Sequence, residues 1–185
     1  PAGTINRGAV IDPSYFPYEF EEYAEGMPLG DLDITLDWAD EDKTELTATA
    51  TAKFVQNLEG TNYRISIALV ADGLKNDNWK QSNYYAGEEP DGIDSDLWDL
   101  FINGKSKVAG LTFNDVVVYY PDVFGIENTI PENISITEGY TASISVKKDD
   151  VVNLAGQQFI NEDATVKAVA IILDATTGTP VNANK

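Results

Sequence analysis

From residue 31 onward, apolar and polar positions alternate with a period of two. In DLDITLDW, Leu32, Ile34, Leu36 and Trp38 alternate with Asp33, Thr35 and Asp37, the pattern of a half-buried strand. TELTATATAKFV alternates Thr and Ala over 47–52 before reaching Phe54, and its small side chains predict close approach by a neighbouring layer. NYRISIALVAD (62–72) closes on the turn pair Asp72-Gly73. KVAGLTFNDVVVYY (107–120) reads as one long strand ended by Pro121. YTASISVKK (140–148) and TVKAVAIILDA (165–175) complete a set of six strongly patterned strands. NTIPENISIT (128–137) and TPVNANK (179–185) carry an early Pro and read as edge strands. The expected fold is all-β, an antiparallel β-sandwich of jelly-roll or immunoglobulin-like type with a short N-terminal helix.

The first thirty residues follow a different period. Phe16, Phe20, Tyr23 and Met27 recur at steps of four, three and four, one face of a helix over 17–27. Gly26, Pro28 and Gly30 then end it. Before the helix, GTINRGAVI suits a strand or a tight hairpin. The change of period near residue 28 divides the chain into an N-terminal segment, 1–30, and a β-sandwich domain, 31–185.

Composition narrows the chemistry. The 185 residues carry 31 acidic and 12 basic side chains, a net charge of −19. Nucleic-acid binding needs a basic face, so nucleic acid is excluded as a partner, and anionic lipid is disfavoured. The chain has no Cys and no His, which removes thiol chemistry, His-based nucleophilic catalysis and nitrogen- or sulfur-ligated metals. Hard oxygen sites for calcium and carboxylate-pair chemistry remain open. No run reaches the roughly 18 apolar residues of a membrane helix, so no direct membrane insertion of this segment is expected.

The candidate site is the stretch 76–101, dense in aromatic and acidic residues. Trp79, Tyr84, Tyr85 and Trp98 could form a stacking platform for sugar rings, beside Asn and Asp groups suited to hydroxyls. The competing reading is that Tyr84, Trp98 and Phe101 cap the sandwich core, with Leu97, Leu100 and Phe101 on a short helix that plugs one end. Asp91, Asp94, Asp96 and Asp99 offer carboxylates at steps of three, two and three, a tentative calcium site. The sequence after Asp96 departs from the EF-hand pattern, and a solvated acidic loop is the simpler account. Glycoside hydrolysis would need two acids about 5–9 Å apart in a cleft, and no motif selects such a pair. The amides of Gln81, Asn83 and Asn182 are expected to satisfy the backbone of long loops.

Several of these pieces occur in a familiar order. YRISIALVADGL, then WKQSNYYAG, VAGLTFNDVVV, GIENTIPENISITEGYT and VKAVAIILDATTGTPVNANK together resemble the C-terminal domain of Omp28-related outer membrane proteins of Bacteroidetes, over residues 32–185. The most specific pieces are Gln81-x-Asn83-Tyr84 and the closing Thr-Gly-x-x-Val-Asn-Ala. Where that family often has an aromatic-Asn-His-Val-x-Arg run, this chain has Asp115 and Val118 in place of the His and Arg, so no role passes to those two positions. PAGTINRG resembles the segment that begins at the cis-proline of a thioredoxin-like domain, which implies that residues 1–28 are the tail of such a domain in a longer protein.

The resemblance implies a secreted or cell-envelope protein, in the periplasm or at the outer membrane surface. The expected function is a non-enzymatic interaction or structural module whose partner is a protein or glycan at the cell envelope. The alternative is a carbohydrate-binding module, calcium-supported in one version, that uses the 76–101 loop. No cofactor is expected beyond that calcium. What separates these readings is whether Trp79 and Trp98 face solvent.

Overall fold

The alternation over 31–38 becomes strand β1 (Gly30–Trp38), with Leu32 buried and Asp31, Asp33, Thr35 and Asp37 exposed. The computed structural model describes residues 3–24, 28–76, 78–88, 102–152 and 165–185. β1 pairs antiparallel with β2 (Glu45–Phe54), and β2 pairs antiparallel with β7 (Gly139–Lys147). The turn between β1 and β2 is closed by Asp40, whose carboxylate accepts from the Thr44 N–H, the Thr44 hydroxyl and the Glu45 N–H. The Thr44 hydroxyl bond, above all, holds the Asp40 carboxyl below its ordinary value.

The second sheet runs β6 (Val116–Tyr119), β3 (Tyr63–Asp72), β8 (Thr165–Asp174), β9 (Pro180–Asn184). All of its pairings are antiparallel. The order β1-β2-β7 against β6-β3-β8-β9 is the immunoglobulin-like one, with A-B-E facing C′-C-F-G. A short pair, β4 (Lys80–Ser82) with β5 (Lys107–Ala109), is built from the connection between β3 and β6.

The core lies between the two sheets. β2 supplies Leu46, Ala48, Ala50, Ala52 and Phe54, β7 supplies Tyr140, Ala142, Ile144 and Val146, and β3 and β8 face them with Ile65, Ile67, Leu69, Ala168, Ala170 and Ile172. Some Cα atoms of β1 and β2 come within 8 Å of Cα atoms of β8. The Ala-rich face of β2 permits that approach, as its Thr-Ala alternation predicts. On the opposite, solvent face, the threonines pair with β7 through hydroxyls: Thr47–Ser145 at 2.7 Å, Thr49–Ser143 at 2.9 Å and Thr51–Thr141 at 3.1 Å. The sheets are also sewn together at one edge. Asn182 Nδ2 donates to the Gly30 carbonyl and Asn184 Nδ2 to the Leu32 carbonyl, each at 2.6 Å.

Two strand expectations need correction. Residues 107–120 form β5 and β6 rather than one strand, because Gly110 (φ +75°) and Asp115 (φ +53°) turn the chain into the left-handed region. Residues 128–137 form no strand and make one isolated backbone bridge, Leu58–Ile134. Asn128 (φ +60°) and Pro131 interrupt extended backbone there, while Ile130 and Ile134 still reach the core.

In the N-terminal segment, Gly3 and Ile11 exchange backbone hydrogen bonds as an isolated bridge around Asn6 and Arg7, both at positive φ, a wider loop than the strand or tight hairpin expected. A 3-10 turn, Pro13–Tyr15, is capped by Asp12 and leads into α1 (Phe16–Ala24). Residues 25–27, and so Met27, lie outside the described residues. Phe16 rests on Gly3, whereas Phe20 is 64% exposed and so is not buried in the sandwich. The segment is instead fastened by Arg7, which donates to the Tyr120 hydroxyl at 3.0 Å and the Val123 carbonyl at 2.9 Å.

Candidate functional site

After β3 the chain turns at Gly73, whose N–H donates to Asn114 Oδ1, while Leu74 and Phe113 exchange backbone hydrogen bonds. This places Phe113 against Trp79, ring centroids 5.7 Å apart and edge-on at 75°. Trp79 is half-buried and forms one wall of a shallow depression of about 340 Å³, with Lys80, Gln81, Phe113 and Val116. The indole is therefore partly packed and partly open, a mixture of the platform and cover readings.

β4 and β5 then hold the next turn by both ends. Asn83 is 7% exposed; its N–H donates to the Ser106 carbonyl at 2.9 Å and its Nδ2 to the Lys105 carbonyl at 3.1 Å. Its Oδ1 accepts from the Tyr85 N–H at 3.1 Å. Gly87, at φ +83°, donates to the Ile102 carbonyl at 2.9 Å. The inward position of this turn belongs to the Asn83 amide, as expected of a residue that satisfies loop backbone. Tyr84 and Tyr85 are turned outward, 88% and 57% exposed. This corrects the expectation that Tyr84 caps the core. Asn182 satisfies backbone as expected, across the sheets rather than in a loop, and Gln81 is exposed on β4.

Of the remaining candidates, Trp98, Phe101, Asp91, Asp94, Asp96 and Asp99 lie outside the described residues. Among the described residues, no three acidic side chains gather into a metal site, and no helix is long and apolar enough to cross a membrane.

Two arrangements have no local signature in the sequence. The first is a row of charges across the four-stranded sheet. Lys167 on β8 pairs with Asp72 on β3, and Lys185 pairs with Asp115, whose N–H donates to Asp72 Oδ1 at 2.7 Å. The Lys167 hydrogen bond, aided by the Asp115 N–H, holds the Asp72 carboxyl below its ordinary value. The same bond raises the Lys167 ammonium above its ordinary value. The second is a polar groove between the start of β3 and residues 127–132, about 560 Å³ in volume. Its members are some sixty residues apart in sequence, so no window reveals it.

Compared with models of protein families, with curated proteins and with solved structures, the chain finds no match in any of the three.

Proposed function

We propose that this chain is a non-enzymatic interaction module of a secreted or cell-envelope protein, an immunoglobulin-like sandwich that offers an aromatic turn to a partner. The observation that carries the reading is the pair Tyr84–Tyr85, largely exposed on a turn whose anchors are internal hydrogen bonds. Exposed aromatic side chains on a fixed backbone lose little entropy on binding and are favoured as interface anchors. The absence of Cys and His removes thiol and His-assisted nucleophiles. The envelope location, the resemblance to Omp28-related proteins and the role of residues 1–30 as the tail of a thioredoxin-like domain rest on the sequence pieces quoted above.

Co-sedimentation with isolated cell envelopes of a Bacteroidetes bacterium tests this reading. The full chain pellets with the envelopes, and a Tyr84→Ser, Tyr85→Ser double variant stays in the supernatant. Equal pelleting of both would remove the turn as the contact surface.

A second reading is favoured by the half-buried Trp79 ring beside the depression it lines with Gln81. In that reading the partner is a saccharide stacked across Trp79 and the two tyrosines, with Trp98 and calcium held by Asp91, Asp94, Asp96 and Asp99 as further parts of the site. Binding to immobilised glycans that disappears in Trp79→Ala supports it; a calcium-dependent rise in melting temperature, lost in Asp94→Asn with Asp96→Asn, supports the calcium version.

A further inference from the structure

The polar groove lies at the N-terminal end of β3, whereas the aromatic turn follows its C-terminal end. β3, ten extended residues, is itself about 30 Å long. Its volume of about 560 Å³ falls within the range of small-ligand sites.

Part of the backbone around the groove is already used: Thr61 N–H donates to the Glu132 carbonyl, Ile126 N–H to the Ile65 carbonyl and Ile65 N–H to Thr129 Oγ1. The groove also offers a ligand its side chains. The Arg64 side chain is 29% exposed, and its nearest carboxylate, Glu127, stands 3.8 Å away, beyond hydrogen-bond distance. Its stem is fixed against Gly125, where a Cβ would fall 2.4 Å from the Arg64 Cβ. Asn128, held at φ +60°, and Glu132 add an amide and a carboxylate to the lining. The aromatic part is Tyr63, stacked on Phe54 at 6.0 Å, and Tyr140, edge-on to the same ring at 6.1 Å.

The charges select the ligand class. Two carboxylates beside one guanidinium disfavour an anion, and the guanidinium disfavours a metal cation. A lining rich in amide, hydroxyl and charged groups disfavours an apolar ligand. Donors and acceptors placed side by side suit vicinal hydroxyls, each of which gives and accepts a hydrogen bond. An extended peptide adds along an open strand edge, and at this end of β3 the Ile65 N–H and carbonyl are already bonded to Thr129 and Ile126. We propose that this groove is a saccharide-binding site, with Arg64 and Asn128 donating to ring hydroxyls and Glu127 and Glu132 accepting from them. The proposal is independent of the reading of the aromatic turn.

The full chain is screened on an array of bacterial, plant and mucin oligosaccharides, and the best binder is titrated by calorimetry. Asn128→Gly removes the amide while suiting the left-handed backbone, and Glu132→Gln removes the charge. Each is expected to weaken binding about tenfold or more with the melting temperature unchanged. Thr35→Ala, on the solvent face of β1, is expected to leave this affinity unaltered. No saccharide bound by the wild type, or a bound saccharide indifferent to both groove variants, overturns the site. Peptides bound by the groove in place of glycans overturn the ligand class.

Discussion

Asn83→Ala removes the anchor of the aromatic turn while leaving both tyrosines in place. The substitution deletes the donor to the Lys105 carbonyl and the acceptor for the Tyr85 N–H, and leaves the backbone bond to Ser106 intact. Each lost hydrogen bond is worth about 0.5–1.5 kcal/mol net, so the turn should lose about 1–3 kcal/mol of local stability. Because β4 and β5 form a sheet separate from the sandwich, the loss should be felt as local opening. Amide hydrogen exchange reads it directly. The Tyr85 and Gly87 amides should exchange roughly 5- to 150-fold faster, the equivalent of that energy, while amides of β2, β3 and β8 keep wild-type rates. Asn83→Asp keeps the acceptor for Tyr85 and loses the donor to Lys105, so protection at Tyr85 should largely survive. Wild-type exchange at Tyr85 in Asn83→Ala would refute the account of how the platform is held.

Other outcomes follow from the same contacts. Asn182→Asp sets a carboxylate against the Gly30 carbonyl in place of the amide donor and should cost more stability than Asn182→Ala, read as denaturation midpoints; equal midpoints would contradict the edge link. Ala50→Leu overfills the narrow gap between sheets and should destabilise by about 1–3 kcal/mol or more, whereas Thr49→Leu on the solvent face should not; similar effects would place the close approach elsewhere. The Asp72–Lys167 pair should support stability across about pH 5–9. Asp72, with a lowered folded value, stabilises above its unfolded value of 3.8, and that contribution is lost as pH falls through the lowered one. Lys167, raised when folded, stabilises below its unfolded value of 10.5, and that contribution is lost as pH rises through the raised one. The melting-temperature gap between wild type and Lys167→Met should therefore close at both extremes, and a gap that does not vary with pH would contradict the pairing.

How legible all this is in the sequence depends on whether the signal is local. Strand β1 is written in the alternation of Leu32, Ile34 and Leu36 with acids, and the Ala face of β2 announces the close sheet contact. The break inside 107–120 has a legible half, Gly110, and a hidden one: Asp115, not glycine, takes a left-handed conformation, with its N–H bonded to Asp72 forty-three residues away. Tyr84 misleads because a large aromatic is by default read as core; only the register of β4 with β5 shows that Asn83 has the inward place. Arg64 and Glu127, like Asp72 and Lys167, meet only through sheet topology, so both the groove and the charge row escape any linear reading.

The most direct test of the central claim, that the Tyr84–Tyr85 turn is the contact surface, is photo-cross-linking from a single site. A p-benzoylphenylalanine at position 84, in the full chain incubated with cell envelopes, is compared with the same group at position 35 on the solvent face of β1. The account predicts adducts from position 84 and none from position 35. No adduct from position 84, or equal labelling from both positions, would contradict it.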